Sequence, residues 1–245
     1  MGEARRTDEG RGRLGNILSG LAVALGCVLF LGGFGWGAVL YQPYTVPTDS
    51  MHPTVKSGDR VLAERVDGGS VRRGDVVVFQ DSVWGQVPMV KRVVGVGGDK
   101  VACCDSAGKL TVNGKPVDEP YLRSHGDDSQ SGFERTDVPR GKLFLLGDNR
   151  LESLDSRTHL EDAGRGAVPR GAVKARVDAV AWPMGDLGML PEAAGFAAMP
   201  GGTSPSGPLP LLVTAIVAGA ALVLGGAAYG PIARRMSSSA RGGPG

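Results

Sequence analysis

Two long runs without a charged residue constrain this 245-residue chain more than any other feature. The first extends from Leu14 to Thr48, and the second extends from Ala193 to Ala233. Each contains an apolar stretch of about 20 residues or more, which is the length that a helix needs to cross the hydrocarbon core of a bilayer. The sequence therefore predicts two transmembrane helices, at residues 16–41 and 209–230.

Positive charges lie between each run and the nearer end of the chain. They are Arg5, Arg6, Arg11 and Arg13 before the first run, and Arg234, Arg235 and Arg241 after the second. Because positively charged flanks stay in the cytoplasm, we expect cytoplasmic tails at residues 1–15 and 231–245. A cleaved signal peptide is the alternative for the first run, but the run is too long and no clear small-x-small site follows it. The predicted location is the cell membrane, with two spans and an extracytoplasmic middle.

The middle of the chain has the pattern of a β domain. The whole chain contains 40 glycines and 16 prolines, and in its middle part Gly-rich turns separate short β-branched or alternating runs at residues 60–66, 75–80, 88–96, 142–147 and 172–183. Asn113–Gly114 supplies the two positive-φ residues of a type I′ hairpin. We predict a mainly β, antiparallel, barrel-like domain over residues 42–183. Residues 184–208 have the Gly, Pro, Ser and Ala content of a flexible linker.

Charge and cysteine content exclude some classes of function. A net charge of +2 without a basic stripe argues against a nucleic-acid partner. Three cysteines without a CxxC, and histidines scattered at His52, His125 and His159, leave little support for a structural zinc site. Cys103 and Cys104 are adjacent, so an intrachain bridge, an intermolecular bridge and free thiols all stay open. We expect no metal and no cofactor.

Ser50 is the first candidate for a reactive residue, because it lies between two prolines in "VPTDSMHPT" just after the first span. His52 is too close along the chain to share a proton productively with it. Lys91 is the better base, since it lies in the apolar run "MVKRVVGV". An ordinary lysine is charged at neutral pH, but burial lowers its pKa and makes it a general base. Taken alone, Lys91 could equally be a surface residue of a strand.

Three segments together resemble the bacterial type I signal peptidases, which are membrane-bound serine endopeptidases with a Ser–Lys pair. The segments are SMxPT after a membrane span ("SMHPT"), KR followed by GxxGD ("KRVVGVGGD"), and GDNR followed by SxDSR ("GDNRLESLDSR"). They occur in the family's order over about 110 residues. The resemblance implies a hydrolase that removes signal peptides from secreted preproteins through an acyl-enzyme.

The resemblance also implies a role for each matching residue. Ser50 would be the nucleophile and Lys91 the general base, while the Ser50 N–H and the Thr48 hydroxyl would form an oxyanion hole. Ser153 would orient the Lys91 amine. The supporting residues would be Met51, Arg92, Gly147, Asp148, Asn149, Asp155 and Arg157, with Asp155 and Arg157 as an ion pair.

Two departures from the family pattern lie near the third segment. Leu151–Glu152 replaces the polar pair that often stands between GDNR and the serine, so spacing supports Ser153 more than its neighbours do. After Arg157 the chain has a longer link before "GAVPRGAVKARV", which we interpret as the entry to the last strand.

The implied partners are preprotein signal peptides, the lipid bilayer and a neighbouring secretion translocon. Two other classes stay open at this point. One is a related self-cleaving repressor protease, which has a similar catalytic fold but is cytosolic, so the two spans argue against it. The other is a non-catalytic, membrane-anchored β domain that binds wall or secretion partners.

Overall fold

The computed structural model describes residues 4–122 and 132–239. The chain divides into two compact units, a helical unit, Met1–Leu40 with Pro208–Gly245, and a β unit, Tyr41–Gly207. In chain order the elements are α1 (Ala4–Leu40), β1 (Tyr41–Thr45), β2 (Arg60–Arg65), β3 (Val76–Asp81), β4 (Gly85–Val96), β5 (Lys100–Cys103), β6 (Thr111–Val112), β7 (Lys115–Pro116), β8 (Phe133–Asp137), β9 (Lys142–Leu146), β10 (Val168–Pro169), β11 (Val173–Trp182), β12 (Gly188–Met189), α2 (Ala194–Ala197) and α3 (Leu209–Ser239), with short 3-10 turns at Gly68–Ser70, Ser156–His159 and Arg170–Ala172.

The helical unit consists of α1 and α3, and each contains a stretch long and apolar enough to cross a membrane. These stretches are Gly15–Leu40, of 26 residues, and Leu209–Tyr229, of 21 residues. The helices pack through small residues, since the Ser19 hydroxyl donates to the Gly226 carbonyl at 2.7 Å. Because α1 ends at Leu40, Tyr41 is not the last residue of the first span as predicted but the first residue of β1.

The larger sheet of the β unit has the strand order β1-β2-β11-β3-β4-β9-β10, with β12 pairing to β11. All its pairings are antiparallel. The prediction of a mainly antiparallel β fold with two apolar helices is confirmed, but in the described residues the sheet does not close into a barrel. Its two edge strands contain Pro43 and Pro169, and a proline nitrogen cannot donate to a further strand.

A smaller sheet has the order β7-β6-β5-β8. The predicted hairpin joins β6 to β7, and Asn113 and Gly114 both have positive φ, of 56° and 77°. At the end of β5, the adjacent cysteines Cys103 and Cys104 form a disulfide bond with each other. One core cluster lies around this sheet and includes Tyr121, Phe144 and Phe196.

Residues 184–207, which we call the C-terminal strap, pack on the β unit rather than forming the flexible linker expected from composition. Phe196 is completely buried, and Met199 is 9% exposed. Arg73 Nη1 donates to the Pro200 carbonyl at 2.7 Å. The strap follows the domain surface because its few apolar side chains enter the core, and this burial outweighs the flexibility of its Gly- and Pro-rich composition.

Candidate active site

Ser50 lies on the loop that connects β1 to β2. The Val46 N–H donates to the Asp59 carbonyl at 2.9 Å and the Gly58 N–H to the Val46 carbonyl at 2.8 Å, which closes the base of the loop. Met51 is completely buried in the core under this loop, as expected for a supporting residue, and Ser50 is 8% exposed. The apolar anchor at Met51 therefore fixes the backbone next to the candidate nucleophile.

Lys91 lies on β4 and reaches the Ser50 side chain across 41 residues of sequence. Its Nζ donates to Ser50 Oγ at 2.7 Å and to the Val90 carbonyl at 3.1 Å. The residue is 4% exposed. Burial lowers the pKa of Lys91 from 10.5 to about 8, although the negative charges of Asp155 and Asp148 oppose part of the shift. The contact is suited to proton transfer because the neutral amine can accept the Ser50 proton.

Thr48 is also beside the candidate nucleophile. Its Oγ1 donates to Ser50 Oγ at 3.3 Å. Among the described residues, no acceptor pairs with the Ser50 N–H. The Thr48 hydroxyl and the Ser50 N–H are therefore two hydrogen-bond donors close to the Ser50 hydroxyl.

A turn at residues 147–150, which follows β9, holds the backbone of Ser50. The Asn149 N–H donates to the Ser50 carbonyl at 3.1 Å, and Asn149 Nδ2 donates to the Asp49 carbonyl at 3.2 Å. A Cβ atom on Gly147 would collide with the Ser50 carbonyl and with Ser153 Oγ, so the close approach requires glycine there. The GDNR motif therefore contacts the SMHPT motif, which contains Ser50.

Asp155 and Arg157 form the expected ion pair, with the two guanidinium contacts at 2.9 and 2.8 Å. Burial raises the pKa of Asp155, but the Arg157 guanidinium and the Gly147 N–H outweigh it and leave the pKa below its ordinary value. Asp155 therefore carries a buried negative charge, which raises the pKa of Lys91.

The structure does not pair Ser153 with Lys91 as the resemblance implies. Ser153 Oγ is buried and has no hydrogen-bond partner in the part of the chain that the structure describes. The Lys91 amine instead contacts Ser50 and Val90.

Arg92 and Asp148, expected as supporting residues, form a buried two-point ion pair at 2.8 and 2.7 Å. The Thr54 hydroxyl donates to the same carboxylate at 2.5 Å. Since Thr54 belongs to the Ser50 loop, this cluster connects that loop to β4 and to the 147–150 turn.

The sequence reasoning missed three residues of the same network, namely Glu119, Tyr121 and Arg150. Arg150 donates to both carboxylate oxygens of Glu119, and Arg92 stacks 3.7 Å above the centre of the Tyr121 ring. Arg150 stands inside the quoted GDNR motif. The segment "DEPY" that supplies the other two is short and polar, and it looks like an ordinary loop.

The histidines do not join the site. The His159 ring stacks on Trp84 at 4.5 Å, and its Nδ1 lies 2.7 Å from Asp162. The side chain of His52 forms no hydrogen bond within the described residues, and His125 lies outside them. Groups of three or more metal-ligating side chains are likewise absent from the described part of the chain.

The chain is similar in sequence to known signal peptidases. The family model described as "Signal peptidase, peptidase S26" matches residues 17–182. Signal peptidase I U of Bacillus subtilis (strain 168) is 34% identical over 157 residues, which cover 61% of this chain and 80% of the relative. Signal peptidase I of Mycobacterium tuberculosis (strain ATCC 25618 / H37Rv) is 31% identical over 240 residues, which cover 77% of this chain and 80% of the relative.

A crystal structure of a signal peptidase I from Enterococcus faecalis V583 matches 43% of this chain and 94% of its own, with 28% identity and a TM-score of 0.36. The family match extends over well more than half of the chain. The chain therefore belongs to the peptidase S26 family of signal peptidases and is a membrane-anchored serine endopeptidase.

Proposed function

We propose that this enzyme removes signal peptides from secreted preproteins with Ser50 as the nucleophile and Lys91 as the general base. The observation that supports these roles best is the buried 2.7 Å contact between Lys91 Nζ and Ser50 Oγ. A non-catalytic binding module is not favoured, because a buried lysine bonded to a serine hydroxyl is costly unless it serves chemistry.

The reaction begins when neutral Lys91 takes the proton of Ser50 Oγ, which attacks the scissile carbonyl carbon. The Ser50 N–H and the Thr48 hydroxyl stabilise the resulting oxyanion. When the intermediate collapses, the Lys91 ammonium gives its proton to the leaving amine and the mature protein departs. Lys91 then takes a proton from water, the hydroxide attacks the acyl-enzyme, and Ser50 regains its proton as the signal peptide leaves with a new carboxylate.

The substrate would bind along the first half of β4. Residues 85–90 pair with β3 on one side, whereas among the described residues β9 joins the other side only from Arg92 onward. An extended peptide can add itself to this free edge, which ends at Lys91. Its alternate side chains would enter shallow pockets that accept small residues, as the family resemblance implies.

We also propose that the β unit lies outside the cell membrane and that both termini lie in the cytoplasm, on the basis of the arginine flanks. The bilayer and the secretion translocon are then the expected surroundings. Enzyme and substrate would meet in the plane of one membrane, which raises their effective concentration.

The test is cleavage of a preprotein by the detergent-solubilised chain carrying Ser50→Ala or Lys91→Met. Both variants should lose cleavage while circular dichroism shows an unchanged fold. The matched controls are Ser57→Ala, on the same loop, and Lys56→Met, whose side chain is 46% exposed. Both controls should cleave normally. Cleavage by Ser50→Ala at the wild-type rate would rule the proposal out.

A further inference from the structure

The buried ion pair between Glu119 and Arg150 is connected to Ser50 through the 147–150 turn, and the proposed mechanism does not use it. Glu119 is 2% exposed and Arg150 is 7% exposed. Arg150 Nη1 and Nη2 donate to the Glu119 carboxylate at 3.0 and 2.5 Å, and the Tyr121 hydroxyl donates to it at 2.6 Å. Because apolar side chains can often replace a buried ion pair without loss of stability, stability alone does not explain this one.

Arg150 connects Glu119 to the 147–150 turn by hydrogen bonds. Its Nε donates to the Gly147 carbonyl at 3.1 Å. The guanidinium is thus held by Glu119 on one side and holds the first residue of the turn on the other. Without the Glu119 carboxylate, the buried Arg150 guanidinium would lose the two hydrogen bonds and the negative charge that hold it in this position.

The 147–150 turn fixes the position of the Ser50 backbone through its contacts. Asn149 donates to the Ser50 carbonyl, and Gly147 packs against the same carbonyl too closely to admit a Cβ atom. A shift of the turn would therefore move the Ser50 N–H and hydroxyl relative to Lys91 Nζ. Displacements of about 1 Å cost up to about 100-fold in rate.

A second branch starts from the same segment. The Tyr121 ring lies 3.7 Å below the Arg92 guanidinium, which binds Asp148 in the middle of the turn. Glu119 and Tyr121 therefore support the turn at Arg150 and at Asp148. Both residues belong to the segment between β7 and β8, which lies outside the three motifs shared with the family.

We infer that Glu119 is a positioning residue for the Ser50–Lys91 pair and acts through Arg150 and the 147–150 turn. The inference rests on the proposed function, since it assumes that Ser50 and Lys91 carry the reaction. Glu119 contacts neither of them. Loss of its carboxylate should lower kcat by about 10- to 100-fold and leave KM within about twofold, because the free edge of β4 is untouched.

The experiment measures kcat and KM for a preprotein with the full chain in detergent, together with the thermal midpoint of unfolding. Three variants are compared with the wild type. Glu119→Gln removes the charge and keeps the shape. Glu119→Gln combined with Arg150→Met removes both charges and the bond to Gly147. Asp118→Asn is the matched control, because it removes a carboxylate next in sequence whose side chain is 76% exposed.

The double variant separates positioning from stability. It should recover much of the thermal midpoint lost by Glu119→Gln, while kcat stays low, and Asp118→Asn should keep the wild-type kcat. A wild-type kcat in either Glu119 variant would overturn the inference. So would failure of both to fold, since the network would then maintain the domain rather than position the pair. The proposed function is tested separately by Ser50→Ala, so the two failures can be told apart.

Discussion

At the scale of single residues, burial decides whether Lys91 is a surface charge or a base. A lysine with its ordinary pKa of 10.5 is neutral in about one molecule in 3,000 at pH 7, whereas a pKa of about 8 makes about one in ten neutral. Asp155 and Asp148 raise this pKa and keep it from falling further. Desolvation thus lowers the pKa of Lys91 toward the range that the proposed base requires, and the two carboxylates limit this shift.

This balance predicts the pH dependence of cleavage. The active form has neutral Lys91, so kcat/KM should rise about tenfold per pH unit below the pKa and level off above about pH 8. The measurement is kcat/KM for one preprotein from about pH 5 to about pH 10. Lys91→Arg should be inactive over the whole range, because a guanidinium stays protonated. A profile that falls between pH 7 and 9 would contradict a lysine base.

At the scale of elements, the C-terminal strap is part of the catalytic domain. Its helix α2 packs so closely on the segment before Glu119 that a Cβ on Gly195 would collide with the Asp118 carbonyl. Phe196 and Tyr121 share one core cluster. Because Tyr121 in turn lies under Arg92, the strap supports the side of the domain from which the buried network reaches the active site.

The packing of the strap predicts that Phe196→Ala is strongly destabilising. Removal of a fully buried phenylalanine costs about 3–5 kcal/mol, which lowers the thermal midpoint of the β unit by about 10 °C. Leu187→Ala, in the same strap but 57% exposed, should change stability by less than about 0.5 kcal/mol. Equal midpoints for Phe196→Ala and the wild type, measured by calorimetry, would mean that the strap is a free tether.

At the scale of the whole molecule, two apolar helices enclose the catalytic domain in sequence, with α1 ending directly at β1 and α3 starting just after the strap. Ser50 stands only ten residues beyond Leu40, the last residue of α1.

The proposed topology, with both termini in the cytoplasm, predicts which parts of the chain are protected from an added protease in intact cells. A protease added outside should degrade the β unit, while epitope tags on both termini should survive until the membrane is permeabilised. Immunoblots of the two tags give the result. Loss of the C-terminal tag in unpermeabilised cells would show that α3 does not return the chain to the cytoplasm.

The two apolar helices and most strands of the large sheet can be predicted from the amino-acid sequence. The predicted runs 60–66, 75–80 and 172–183 match β2, β3 and β11 to within one residue at each end. These features are local, because the length of an apolar run and the alternation of β-branched residues can each be recognised within a single segment. The strands β1 and β8 were missed, since "YQPYT" and "FERTD" have too little apolar alternation to stand out.

The contacts between the site residues, in contrast, depend on how the folded chain packs. It brought Lys91 to 2.7 Å from Ser50, left Ser153 without the Lys91 contact, placed Glu119 behind the turn and packed the strap on the core. A pKa and a proton-transfer distance depend on which segments far apart in sequence pack together. Motif spacing could name Ser50 and Lys91 as candidates, but only the packing that removes water from the amine lowers the pKa of Lys91 enough for the neutral amine to be present near neutral pH.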